Sequence, residues 1–98
     1  MTTATLTSTI QASLMQDGVK LKELNGLNEL VTKLRHLHLS ESVVTKLCTI
    51  GQFFSVDAIL EDGGPTIHDI ITICSISLDD AQHVREKLNA LSEQMATA

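Results

Sequence analysis

The most regular hydrophobic pattern in the chain begins at Leu24, where Leu24, Leu27, Val31, Leu34 and His38 recur in steps of three and four while Leu30 and Leu37 widen the stripe. That rhythm predicts an amphipathic helix with a broad apolar face, and Asn25-Gly26 marks a candidate for its true start. Ser40 then offers an N-cap for a second helix, along one side of which lie Val43, Val44, Leu47, Cys48, Gly51 and Phe54. Gly51 in such a stripe lets another backbone come close. Upstream, Ile10, Leu14 and Met15 share a helical face that starts near Thr7 or Ser8 and stops at Asp17-Gly18. A hairpin competes there, because Asp-Gly also favours a two-residue β-turn and Val19-Lys20-Leu21-Lys22 alternates.

The second half follows similar rules. A short helix is expected over Val56 to Glu61, and Asp62-Gly63-Gly64-Pro65 forces a turn. Thr66-x-x-Asp69 and Ser77-x-x-Asp80 both have capping-box spacing with Asp in place of Glu or Gln. The first box opens a helix that buries Ile67, Ile70, Ile71 and Cys74. The second opens one that buries Ala81, Val84, Leu88, Leu91 and Met95. The β-branched run Ile70-Ile71-Thr72-Ile73 argues for a strand instead, but the caps, Pro65 and the 3.6 period outweigh it. The fold class is therefore all-α, a compact bundle of five or six short helices, with an α+β arrangement of ββα units as the alternative. Residues 1–98 form a single small helical domain, with residues 1–7 and 96–98 disordered.

From Phe54 to Leu91 the spacing resembles a helix-turn-helix or winged-helix core, with Phe54 to Glu61 as leading helix, Thr66 to Ile71 as the next, Ser75-Ile76-Ser77 as the turn and Ala81, Val84 and Leu88 on the last. The resemblance covers less than half of the chain and departs from the family twice. Cys74-Ser75 stands where a glycine is common, and only seven residues follow Leu91, too few for a wing. It implies that Asp79, Asp80, Gln82, His83 and Glu86 face the ligand, and Gln82 suits an adenine edge.

Charge works against DNA. Residues 1–46 hold five basic and four acidic groups, whereas residues 47–98 hold two basic and eight acidic, within a net charge of −5. Carboxylates repel phosphate and release no counterions. At Asp79 and Asp80 the everyday role of an acidic side chain is to complement the positive end of a helix. A basic cluster of Lys20, Lys22, Lys33, Arg35, His36, His38 and Lys46 balances the acidic half; it is solvation in most helices, and it also suits head-to-tail pairing of subunits or an acidic partner.

Candidate chemistry is sparse. His36 and His38 are two apart and His68 and Cys74 six apart, neither a helical ligand spacing. Cys48 and Cys74 lack a Cys-x-x-Cys pattern and sit among apolar neighbours, as buried free thiols of a reducing compartment do. No Gly-rich loop follows a strand. Neither a basic, apolar N-terminal leader nor a stretch of about 20 apolar residues occurs. The expectation is thus a cytoplasmic, non-catalytic protein with no cofactor and no metal, which does not engage membranes. It is an acidic regulatory or adaptor module of the chaperone, anti-activator or inhibitor kind, binding another protein through Asp79, Asp80, Gln82, His83 and Glu86. The alternative is a DNA-binding transcriptional regulator using residues 66–91. A chain this short buries only somewhat over ~60% of its unfolded surface. A homodimer is therefore expected through Leu27, Leu30, Val31, Leu34 and Leu37.

Overall fold

The computed structural model describes residues 2–97, and within them the chain is helical throughout its regular structure, with no strand. Helix α1 spans Thr3–Gln16. It starts earlier than the sequence predicts, because the Thr2 hydroxyl accepts a hydrogen bond from the Thr5 amide at 3.1 Å and caps the first turn. Helix α1 therefore reaches into the N-terminal segment 1–7. Leu6, Ile10 and Leu14 stack four apart on the buried face. Met15, expected beside them, points outward at 45% exposure, and Leu6 takes its place in the core. Thr7 is also buried, its hydroxyl donating to Asn28 Oδ1 at 3.2 Å. Gly18, at φ 98°, ends the helix in a Schellman turn in which the Val19 amide donates to the Leu14 carbonyl at 3.0 Å.

No hairpin forms beyond this turn. Lys20 leads into a 3₁₀ turn at Leu21–Leu24, closed by its own amide donating to Glu23 Oε2 at 3.2 Å. Helix α2 then runs over Leu27–His36, starting after Gly26 as the Asn25-Gly26 signal suggests. Leu27, Leu30, Val31 and Leu34 are all fully buried. Helices α1, α3 and α4 pack on α2 and cover this face within one chain. The predicted dimer interface is corrected on this point. Four of its five residues present no surface to a second copy, and Leu37 is half-buried against the same core. The breadth of the stripe reflects three neighbours inside the chain, α1, α3 and α4.

Helix α3 covers Glu41–Thr49, capped as predicted by Ser40, whose Oγ accepts from the Val43 amide at 3.2 Å. It stops short of Phe54 because Gln52 adopts a left-handed conformation at φ 57°. Gly51 sits at this end with close neighbours, though not the backbone of another element. A Cβ there would stand 2.6 Å from the Cys74 sulfur and 2.8 Å from the Leu47 carbonyl oxygen. Gly51→Ala is therefore expected to destabilise the chain by about 1–3 kcal/mol through overpacking. That clash outweighs the ~0.4–1 kcal/mol that a Gly→Ala change otherwise contributes by stiffening the unfolded chain. Urea melts measure the balance; a neutral or stabilising result would refute so tight a contact between α3 and the Cys74 segment.

Helix α4 is short, Val56–Leu60, with Ser55 Oγ accepting from the Ala58 amide at 3.1 Å. A 3₁₀ turn at Glu61–Gly63 and Gly64 at φ 86° carry the chain to Pro65. Helix α5, Ile67–Thr72, opens on the predicted capping box in reciprocal form: the Asp69 amide donates to Thr66 Oγ1 at 3.1 Å and the Thr66 amide to Asp69 Oδ2 at 3.3 Å. Helix α6, Leu78–Thr97, packs mainly on α5 through a face that holds Ala81, Val84, Leu88 and Leu91. Met95, predicted inward, is 42% exposed.

Candidate protein-docking surface

Helices α4, α5 and α6 follow one another in the order of a helix-turn-helix, with α6 in the place of a reading helix. Ser75, at φ 56°, makes the turn between α5 and α6, and Lys46 Nζ donates to its carbonyl at 3.4 Å, so a cation from α3 steadies the turn. Ser77 Oγ accepts from the Asp80 amide at 3.4 Å at the start of α6. From there Asp79, Gln82, His83 and Glu86 recur at steps of three and four, and all of them, with Asp80, are exposed. The structure thus brings the five predicted partner-binding residues onto the solvent side of one helix. Asp79 and Asp80 lie on its first turn, where the helix dipole favours negative charge, and Glu86 lies on its third.

Arg85, one of the two basic residues of α6, is turned away from that face. Its guanidinium donates to the Pro65 carbonyl and to the Gly63 carbonyl, each at 2.7 Å, and to Asn89 Oδ1. It staples the glycine-rich turn to α6. Glycine suits position 64, where φ is 86° and a Cβ would stand 3.1 Å from the Ile59 carbonyl oxygen. The basic cluster of the N-terminal half is likewise partly engaged. Arg35 Nη1 donates to Thr3 Oγ1 at 3.2 Å and pairs with Glu41 at 3.9 Å, holding α1 and α3 to α2, while Lys46 serves the α5 turn.

The turn after α4 also frames a shallow groove of about 260 Å³ between α4 and α5. Phe53, Pro65 and Ile73 contribute its apolar part, and Glu61, Asp62 and Asp69 its carboxylates. Sequence reasoning did not find this site. Ile73, the last residue of the β-branched run that argued for a strand, is 55% exposed, because it lies past the end of α5. A second depression, along Ala4, Thr5, Ser8 and Ala12, is a stripe of small residues on α1 alone and brings no groups together.

The two cysteines are free and buried. Burial pushes the Cys48 thiol up to about 12, and burial followed by the Asp69 carboxylate raises that of Cys74. Neither is a ready thiolate nucleophile at neutral pH. Among the described residues, no group of three or more His, Cys, Asp or Glu side chains is placed to hold a metal ion, and no helix is long and apolar enough to cross a membrane. No protein-family model, no curated protein and no solved structure matches the chain.

Proposed function

We propose that this protein is a non-catalytic acidic regulatory or adaptor module that acts by binding another protein through the exposed face of α6. The observation that carries this is the pairing on one helix of an exposed acidic face with an internally engaged arginine. Asp79, Asp80 and Glu86 face solvent beside Gln82 and His83, and Arg85 serves the Gly63–Pro65 turn. A partner suited to that face carries basic and hydrogen-bonding groups. Charge complementarity of this kind acts mostly on the rate of association. The two buried free thiols fit a reducing, cytoplasmic setting.

DNA binding through residues 66–91 is the second reading, favoured by the α4-α5-α6 order alone. One double substitution separates the two. Replacing Asp79 and Asp80 by Asn should slow association with the protein partner and blunt its salt dependence, whereas on DNA it should tighten binding by removing phosphate repulsion. The decisive measurement is a fluorescence titration of the wild-type chain against random duplex DNA from roughly 50 to 200 mM salt. Affinity tighter than about micromolar at the upper salt would sink the protein-binding proposal, since non-specific DNA binding at physiological salt is ordinarily no stronger than that.

A further inference from the structure

The groove between α4 and α5 and the 3₁₀ turn before α2 are complementary in charge, and each offers exposed apolar surface. Leu21 is one of the large apolar side chains left in solvent, at 54% exposure, and it is flanked by Lys20 and Lys22, both exposed. Nothing in the fold requires an aliphatic side chain there, since the neighbouring Leu24 supplies the buried anchor of that turn. Glu23, the acidic residue of the turn, folds back onto the Lys20 amide. The turn therefore presents an apolar knob between two cations. The groove is its counterpart, with Phe53, Pro65 and Ile73 around an opening whose carboxylates are Glu61, Asp62 and Asp69. Arg85 sets one positive charge against those three, bound to carbonyls of the same loop, so the groove stays net negative.

We infer that the groove is a self-association site, which takes the Lys20-Leu21-Lys22 turn of a second copy. Leu21 enters between Phe53 and Ile73, and the flanking lysines meet Glu61 and Asp62. The pairing uses the charge asymmetry between the two halves of the chain, which holds five basic groups up to residue 46 and only two beyond it. It leaves the core stripe of α2 untouched and uses none of the α6 residues assigned above to a foreign partner, so it stands or falls apart from that proposal. With an opening this small, the contact is of the weak, wet kind. Exposed ion pairs at its edge make it sensitive to salt.

The test is sedimentation velocity on the full chain across micromolar to millimolar concentration at low and high salt. The wild type should associate at low salt and dissociate as salt rises. Lys20→Glu with Lys22→Glu should weaken association at least about tenfold, and so should Glu61→Lys with Asp62→Asn. All four positions are exposed, and Asn tolerates the left-handed backbone of residue 62, so circular dichroism should show both variants folded. The discriminating arm is the mixture: each variant alone is monomeric, but an equimolar mixture of the two should associate, because one copy retains an intact groove and the other an intact turn. Asp79→Asn with Asp80→Asn should leave self-association unchanged. A wild type that stays monomeric throughout overturns the inference. So does association that survives either charge reversal, or a mixture that remains monomeric.

Discussion

Leu34→Asp is expected to unfold the chain, and not to release a folded monomer from a dimer. Leu34 is fully buried at the centre of the α2 face, enclosed by the chain's own helices. Aspartate there loses the packing of a leucine, which alone costs about 2–5 kcal/mol in large-to-small substitutions. It also places a carboxylate with no partner where water does not reach, so the residue must either stay protonated or carry an unpaired buried charge. Together these exceed the ~4–5 kcal/mol that marks the extreme of single substitutions, against a total stability of roughly 5–15 kcal/mol for a small domain. Circular dichroism and sedimentation read together should show lost helicity and an expanded chain. A helical, compact Leu34→Asp monomer would mean that α2 does not pack as described and would revive the stripe as an interface between copies.

How far such packing is legible in a sequence differs from helix to helix. The caps were readable because each depends on residues a few positions apart: Ser40 with Val43, Thr66 with Asp69, and Ser77 with Asp80 all form the bonds that their spacing implies. The stripe from Leu24 to Leu34 was equally legible as a buried face, whereas His38, counted in the same rhythm, lies beyond α2 and is exposed. What covers it was not, since periodicity records that a face is apolar and carries no information on how many neighbours share it. The same gap explains α1. A run of threonines with few large apolar residues reads as a frayed end, yet Leu6, Ile10 and Leu14 spaced by four suffice once α2 and α3 receive them. The ends of α2, α3 and α5 were blurred for another reason. His38, Gln52 and Ser75 take left-handed conformations usual for glycine, at a cost of roughly 1–2 kcal/mol each, and local sequence gives no sign of them.

The candidate surfaces divide in the same way. The α6 face was readable because helical spacing alone puts Asp79, Gln82, His83 and Glu86 together. The groove was not, because it joins Phe53 after α3 to Asp69 and Ile73 around α5 through a turn whose shape depends on Arg85 reaching Gly63 and Pro65 from α6. Twenty or more residues separate those bonding partners in sequence. Only the exposed Ile73 at the end of an isoleucine run, and Leu21 between two lysines, left a trace of it.

Raising the pH above about 9 should weaken the fold steeply, and Cys48 should account for much of the loss. An unfolded thiol ionises near 9.0, whereas burial pushes the native Cys48 thiol up to about 12. Below pH 9 both states hold the proton and this residue makes no pH-dependent difference. Above it the unfolded chain gives the proton up while the native chain cannot, so stability falls until the native thiol itself ionises near 12. Three decades of pH at about 1.4 kcal/mol each give a loss approaching ~4 kcal/mol, comparable with the whole stability of a small domain. Cys74, raised by burial and by the Asp69 carboxylate, acts in the same direction, and with no tyrosine in the chain no phenol titrates across this window. Urea melts at successive pH values should follow this decline in the wild type. Cys48→Ala should start less stable near neutral pH, because of the small cavity it leaves, and then fall more gently. Parallel slopes for the two proteins would show that the Cys48 thiol is open to solvent in the native state, as would rapid alkylation of Cys48 in the folded chain.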